Sequence, residues 1–430
     1  MSTRRTLALA ALLVAVGALG LGGCPGGDSN GSATGGSAGA SATGGAAGGG
    51  AGGNAGDPNI PPWDPVWHLT EPKPWPSIGT EGLPDCGPGC RIALNVYTTN
   101  PSYYGHTYTT EMVGSKTPEG LVLAKLGLSE SLVLGPKAVS GGPRAHQPHL
   151  SGDFISYLYL ENDRNDIMVM SWRTGEKKLA YTYERQNSAD SVSLTALNSS
   201  YVFWHKYTVG MMSRNLQTGE VKVLAGGAWD CISLCATEQG LICAGGRNIF
   251  IDHDTGEQEV LNYDGALQLL GFCSPDKKQY VWIDYRDPPG RDSTYDFYRN
   301  GGEVYMMDLQ TRAVRRLTFD SPDNPRAKDL PAIAGDLVVW KEAPPGNNQN
   351  PDSYDGVRGS CTALATLDLT TGERCQLLGT DTRVGGHKSV HGRHVYGAWL
   401  DIPTAKTYLV DIDLDDPALQ WQCQMTPFAP

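Results

Sequence analysis

The chain has 430 residues, 40% of them hydrophobic, which supplies material for a large core and excludes wholesale disorder. Acidic residues outnumber basic ones 46 to 34, a balance that excludes a nucleic-acid partner gripped through its phosphates. Glycine, at 54 residues, runs close to twice the ordinary usage of roughly 7%, and ten cysteines fit an oxidising compartment.

Arg4 and Arg5 lead into an apolar run from Leu7 to Leu21, the charged and hydrophobic regions of an export signal, and such a run is too short to span a bilayer comfortably. It ends in Leu21-Gly22-Gly23-Cys24, which resembles the lipobox of bacterial lipoproteins. The resemblance implies cleavage before Cys24, a lipid on that thiol, and an outer-membrane destination, because Pro25 and not an aspartate follows. It leaves the periplasmic and cell-surface sides both open. Loss of Arg4 and Arg5 with the leader moves the formal charge from −12 to −14. Residues 25 to about 57 are almost wholly Gly, Ala, Ser, Thr and Asn and cannot bury enough apolar surface to offset their chain entropy. They read as a flexible tether with a root-mean-square reach of about 30 Å. The expected organisation is a leader over 1–23, the lipidated cysteine and tether over 24–58, and one folded domain over 59–430.

From residue 59 onward short β-rich runs alternate with Gly, Pro, Asn and Asp, without a convincing amphipathic helix, an all-β signature. A phrase of strand, polar turn with Thr-Gly-Glu, and strand recurs at Thr174-Gly175-Glu176, Thr218-Gly219-Glu220, Thr255-Gly256-Glu257 and Thr371-Gly372-Glu373. A degenerate copy at Asp308-Leu-Gln-Thr311-Arg312 has lost the glycine that suits a left-handed turn position. Ahead of these lies a second recurring hairpin, as in Leu150-Ser-Gly152-Asp153-Phe-Ile-Ser-Tyr157 and Ile333-Ala-Gly335-Asp336-Leu-Val-Val-Trp340. Two hairpins per unit make four antiparallel strands, one blade of a β-propeller.

These phrases, with the aspartate-rich Asp163-Arg-Asn-Asp166 before a third strand, resemble the TolB-like family of propeller repeats found in exported bacterial proteins. The resemblance spans roughly residues 140–415 and specifies a fold, not an activity. Thr174 to Thr371 covers four steps of about 49 residues each. Six units are visible, and residues 86–135 supply strands for another. The expectation is an all-β propeller of four-stranded blades, seven in number with six or eight as alternatives, closed by strand sharing between the first and last blades.

After lipidation of Cys24 nine cysteines remain, an odd number, so at least one is free or paired between chains. Cys86-Gly-Pro-Gly-Cys90 is a ready turn closure. Cys231 and Cys235, about 13 Å apart if on one strand, cannot join. Cys235 is expected to face Cys243 across a hairpin turning at Glu238-Gln239-Gly240, and Cys361 and Cys375 flank another hairpin. Zinc is disfavoured because no C-x2-C pair occurs.

Two regions could carry function. Just before each innermost strand the chain places a polar residue, in the series His146, Asp190, Asp230, Asp264, Asp329 and His387, with Gln147 and His149 nearby. Such a ring could hold a divalent metal, as oligogalacturonate-lyase-like propellers do with channel histidines and a glutamine, although no ligand is matched residue by residue. The second region is a pair of insertions in consecutive blades, over 284–299 and 344–358, bearing Arg291, Tyr295, Asp296, Tyr298, Tyr354 and Asp355. Tyrosines that stack beside groups that hydrogen-bond suit peptide or sugar recognition. No nucleophile with a legible base partner stands out. The expected function is a non-enzymatic, lipid-anchored module without a cofactor, binding an envelope protein, peptide or glycan. The alternative is a metal-dependent polysaccharide lyase or hydrolase working in the channel.

Overall fold

The recurring Thr-Gly-Glu phrase folds the same way at each copy. In the copy at 252–257, Oδ1 of Asp252 accepts the N–H groups of Asp254 (2.9 Å) and Thr255 (2.8 Å), and Oγ1 of Thr255 accepts the N–H of Glu257 (3.2 Å). The N–H of Gly256 donates back to the carbonyl of Asp252 (2.9 Å). Gly256 sits at φ +72°, and a Cβ there would lie 2.7 Å from the carbonyl oxygen of Leu224. Asn215 and Asp368 accept in the same way at their copies. The degenerate copy keeps the turn without its glycine. Arg312 takes φ +62°, its guanidinium stacks 4.4 Å from the Phe250 ring, and Asp308 still accepts from Gln310 and Thr311.

The computed structural model describes residues 59–68, 83–96, 106–108, 112–117, 120–125, 131–133, 144–184, 192–206, 209–226, 231, 233–245, 247–261, 268–286, 302–320, 326, 328–342, 363–377, 384–401 and 406–425. Among these there is no helix, and none long and apolar enough to cross a membrane. The strands are, in chain order, β1 (Cys90–Val96), then β2 (His106–Tyr108), β3 (Met112–Thr117), β4 (Gly120–Lys125) and β5 (Ser131–Val133). The next group is β6 (Arg144–Ser151), β7 (Phe154–Glu161), β8 (Arg164–Ser171) and β9 (Lys177–Glu184), followed by β10 (Val192–Leu197), β11 (Tyr201–Lys206), β12 (Gly210–Asn215) and β13 (Val221–Gly226). After them come β14 (Ser233–Ala236), β15 (Gly240–Gly245), β16 (Arg247–Asp252) and β17 (Gln258–Val260), and β18 (Gln268–Cys273), β19 (Gln279–Asp284), β20 (Glu303–Asp308) and β21 (Val314–Arg316). The last are β22 (Lys328–Ala334), β23 (Leu337–Glu342), β24 (Ala363–Asp368), β25 (Glu373–Leu377), β26 (Val384–His391), β27 (His394–Asp401), β28 (Lys406–Asp413) and β29 (Trp421–Met425).

They pair antiparallel into seven sheets among the described residues, six of four strands and one of five. Neighbouring sheets touch in chain order, and β26 meets β2 while β1 meets β3, which closes a ring. This is a β-propeller. The closure is made by strand sharing, because β1 pairs with β28 as the outer strand of the last sheet. The core lies between sheets, not inside them. Ile167 and Tyr181 of one sheet pack on Val202 and Trp204 of the next, and Val281 and Val304 pack on Val338 and Trp340. Both faces of a middle strand are therefore buried, as in β11, where the first five residues are all inaccessible, so these strands read as continuous apolar runs instead of alternating ones.

The disulfides correct two expectations. Cys86 joins Cys90, but Cys235 joins Cys273 and Cys243 joins Cys231, with Cα separations of 5.9 and 5.3 Å. The register sets Cys235 opposite Ile242 and Cys243 opposite Leu234. The two thiols of that hairpin thus point to opposite faces, each toward a different neighbour. Cys375 joins Cys423 on β29, at 4.0 Å between Cα atoms, and not Cys361. The fifth strand lays Cys423 directly beside Cys375. By count, Cys24 and Cys361 fall outside these four pairs, and both lie outside the described residues.

Residues 59–68 form a strap over the outer edge of two sheets. Trp63 donates from Nε1 to the Leu216 carbonyl (3.0 Å), and Arg214 donates to the carbonyls of Ala180 and Pro61 (both 2.8 Å) while lying 4.5 Å over the Trp63 ring. Lys178 donates to the carbonyls of Asp64 and Val66, 4.5 Å from the Trp67 ring. Burial pushes the Arg214 pKa down to about 10.

The hairpin turns give a pH-dependent prediction. The N–H of Thr311, with its hydroxyl and the N–H of Gln310, holds the Asp308 carboxyl below its ordinary value against partial burial. A depressed folded-state pKa contributes stability above the unfolded value near 4 that is lost as pH falls through the folded value. Asp308→Ala should cost about 1 kcal/mol at pH 7, as lost capping acceptors do, and less at pH 3. Asp308→Asn, which copies Asn215, should lose little at either pH. Melting temperatures of the three proteins at both pH values check this.

Candidate functional site

The two insertions leave the ring at residues built to hold them. The first springs from the end of β19 and returns at β20, where Asp284 and Glu303 stand opposite each other in register. The second springs from Glu342 at the end of β23. Both connect a second strand to a third strand in adjacent sheets, so their roots lie on one face. Asp284 is fully buried and accepts from Trp282 Nε1 (3.0 Å), Gln268 Nε2 (3.1 Å) and Arg286 Nε (2.9 Å). Glu342 is equally buried and accepts from Trp340 Nε1 (2.8 Å), Arg326 (2.7 Å) and Arg374.

A continuous chain of alternating charges ties one root to the other. Glu303 pairs with Arg316 (3.1 Å) and with Lys328 (3.1 Å), and Lys328 pairs with Asp320 (2.6 Å). Asp320 pairs with Arg374 (3.2 Å), which pairs with Glu342, which pairs with Arg326. Four cations thus enclose three carboxylates. Burial works to raise the Asp320 pKa, but Lys328 and Arg374 outweigh it and hold the carboxyl below its usual value. Burial likewise opposes the charge on Arg374, but Glu342 and Asp320 hold its pKa above the usual value. Isolated buried pairs barely break even, whereas removing one partner strands a charge. The network therefore acts as a registration device: each member is expensive alone and satisfied together.

Sequence reasoning missed these seven residues. The legible signal was Trp282-Ile-Asp284 and Trp340-Lys-Glu342, a tryptophan and a carboxylate two apart at the end of a buried strand. Two-residue spacing puts both on one face, where an indole N–H needs an acceptor. Arg291, Tyr295, Asp296, Tyr298, Tyr354 and Asp355 lie outside the described residues.

The structure sets His146 and Gln147 on β6 and His387 on β26, both first strands of their sheets. Each lies where the pairing register slips, between His146 and His149 and between Gly385 and Ser389. Similar slips occur in β10, β18 and β22, so a bulge in the first strand is a repeated feature, and bulges re-aim side chains. Asp329 is fully buried at the bulge of β22. The side chains of His146, Gln147 and His387, and the whole of Asp190, Asp230 and Asp264, lie outside the described residues. Burial, reinforced by the Lys277 ammonium, pushes the His149 pKa down to about 3. Burial brings Lys277 itself down to about 8, with Glu238 and Asp276 opposing. His149 is therefore a neutral imidazole at neutral pH, the form that can bind a metal, but the neighbouring ammonium disfavours a cation beside it. Among the described residues one group has three metal-type ligand atoms close together, Glu373, Cys375 and Cys423, and its two sulfurs form a disulfide.

On the opposite, turn-bearing face a cavity of about 540 Å³ is lined by Asp276, Asp336, Asp368, His391 and Arg393 among others. Asp276 and Asp368 are engaged by hydrogen bonds within their own turns, and Arg393 pairs with Asp415. Burial, with His394 nearby, lowers the His391 pKa to about 4.

No family model matches the chain, and no curated protein matches it. Among solved structures, an oligogalacturonate lyase in complex with manganese is 15% identical over 77% of this chain and 91% of its own, with a TM-score of 0.48. An oligogalacturonate lyase from Vibrio parahaemolyticus is 13% identical over 75% and 90%, with a TM-score of 0.48. TolB from Acinetobacter baumannii is 14% identical over 79% and 68%, with a TM-score of 0.39. Likenesses this distant assign neither a substrate nor a residue role.

The root network predicts a large local cost. Glu342→Gln leaves Arg326 and Arg374 facing a neutral amide and should lower unfolding free energy by about 3 kcal/mol, the scale for breaking a buried ion pair. Urea unfolding followed by tryptophan fluorescence measures it.

Proposed function

We propose that the protein is an exported, lipid-anchored β-propeller that binds an envelope protein, peptide or glycan through the face carrying its two insertions. The observation that carries this reading is the buried charge chain from Glu303 to Glu342. It fixes the roots of two adjacent insertions to one another, and a recognition surface made of loops needs a rigid base to keep its ordering cost low. The insertions supply Tyr295, Tyr298 and Tyr354 for contact area, with Arg291, Asp296 and Asp355 for orientation. The leader, Cys24 and the tether support anchoring at the outer membrane, with the periplasmic and cell-surface faces both compatible.

The alternative, a metal-dependent polysaccharide lyase or hydrolase, draws on the first-strand bulges that carry His146, Gln147, His149 and His387. Metal analysis of the purified protein separates the two readings: a bound stoichiometric divalent ion, with binding or turnover lost on chelation, favours the channel.

Two measurements test the preferred reading. The triple variant Tyr295→Ala, Tyr298→Ala, Tyr354→Ala should keep its melting temperature, since surface changes move stability by no more than about 0.5 kcal/mol, and should lose its partner in a pull-down from envelope extract. Retained capture by that variant, together with loss of capture in His146→Ala with His387→Ala, moves the site to the channel. Cys24→Ser should release the protein from membranes under a high-salt wash; a variant that stays in the membrane pellet removes the lipid anchor from this account.

A further inference from the structure

Four middle strands of the ring, β11, β19, β23 and β27, end in a tryptophan with a charged residue two positions on, and β11 alone carries a cation there. In β19 and β23 the fully buried Trp282 and Trp340 donate from Nε1 to a carboxylate two residues on, Asp284 at 3.0 Å and Glu342 at 2.8 Å. In β11 the corresponding Trp204 is just as buried, but the residue two positions on is Lys206. A cation cannot accept. Among the described residues Trp204 Nε1 has no acceptor, and neither does the hydroxyl of Tyr183, which is 6% exposed on the facing strand β9.

These groups share one place. Trp204 packs against Tyr181, with ring centroids 5.1 Å apart, and both belong with Tyr183 to one core cluster. The Lys206 ammonium lies 4.9 Å from the Tyr183 ring and donates to the Tyr181 hydroxyl at 3.1 Å. It has three N–H groups, and no carboxylate among the described residues pairs with it. Buried donors normally find partners, and here the indole N–H and the Tyr183 phenol have none, while the ammonium beside the Tyr183 ring has the Tyr181 hydroxyl alone. Lys206 is partly exposed, and it closes the same kind of second-to-third-strand connection that carries the insertions elsewhere.

We infer that the end of β11, built from Trp204, Lys206 and Tyr183, is a binding site for a carboxylate supplied by the acidic side chain of a partner polypeptide. The carboxylate takes the place that Asp284 and Glu342 occupy in their own sheets, accepting from the indole and the phenol while Lys206 turns from Tyr181 to pair with it. Side-chain carboxylates stand at this position in the other three copies and accept from the indole in β19 and β23, which favours an Asp or Glu donated in trans. The site rests on the binding-module reading only in its choice of partner, since its chemistry does not involve the two insertions. The chain is strongly acidic overall, so general attraction does not favour an acidic peptide, and a saturable response reports local chemistry.

Indole resonances of the ¹⁵N-labelled full chain test it. The resonance of Trp204, one of ten tryptophans, is assigned by its loss in Trp204→Phe. Titration with acetate, and with glutamate blocked at both backbone ends, should shift that resonance saturably, whereas chloride at equal ionic strength should not. Lys206→Met should weaken the response at least tenfold. Lys206→Glu, which recreates the arrangement of β19 and β23, should start at the shifted position, stop responding, and melt higher than the parent. An unmoved Trp204 resonance, an equal response to chloride, or an undiminished response in Lys206→Glu overturns the assignment. None of these readouts depends on the insertion tyrosines, so failure here leaves the insertion-face reading standing.

Discussion

Closure of the ring by β1 on β28 is the constraint on which the other features rest. Each sheet buries both faces against its neighbours, so an open series would expose two apolar faces and two strand edges, the condition that invites aggregation. The closing strand begins at Cys90, bonded to Cys86, and its first turn packs against the end of β28, where the Asp413 N–H donates to the Gly89 carbonyl at 2.8 Å. Asp411 of β28 is nearly buried and holds both Arg91 of β1 (2.8 Å) and His394 of β27 (2.9 Å). Contact between strands more than 300 residues apart carries a loop-closure cost that grows only slowly with length, so a short covalent turn and the shared Asp411 contact suffice to hold it. The other end of the chain uses the same device, with β29 fastened beside β25 through Cys375 and Cys423.

A closed ring frees the loops from any structural duty, and the charge network shows how that freedom is used. Apolar packing between sheets is indifferent to small slides, whereas a chain of pairs running from Arg316 to Arg326 has one arrangement in which every partner is met. Its place at the feet of two insertions, and not in the middle of the sheets, is what distinguishes it from an ordinary buried pair. The strap over residues 59–68 follows the same logic on the outside. Two cations, Lys178 and Arg214, are covered by Trp63 and Trp67 and donate to main-chain carbonyls, so residues 59–68 are fixed to one edge of the ring.

Much of the architecture was legible because it repeats. Thr-Gly-Glu, with a polar acceptor three residues before the threonine, is a local hydrogen-bond device that needs nothing from the rest of the chain, and it marks the same turn wherever it occurs. What escaped sequence reasoning depends on register. Cys235 and Cys243 differ from the pairing expected of them by one residue, and because side chains alternate, that one residue sends the thiols to opposite faces and to different partners. The first-strand bulges are equally silent in sequence, since a slip between His146 and His149 or between Asp329 and Ala332 is set by the neighbouring strand. The charge network was hidden for a third reason: its members come from five strands and the connection between β21 and β22, and only the tryptophan–carboxylate spacing at Glu342, repeated at the neighbouring Asp284, is local.

That spacing shows how a repeat fold diversifies without altering its frame. Trp204, Trp282 and Trp340 do the same packing work between sheets, and each presents an N–H that packing alone cannot satisfy. The residue two positions on settles what becomes of it. A carboxylate there turns the indole into part of a structural cluster, drawing in Arg286 at one strand and Arg326 and Arg374 at another. A lysine there leaves the indole N–H unpartnered and sends its own ammonium to the Tyr181 hydroxyl. One substitution of charge at a fixed position, with the fold held constant by the ring, thus removes an internal contact and leaves a buried donor unsatisfied.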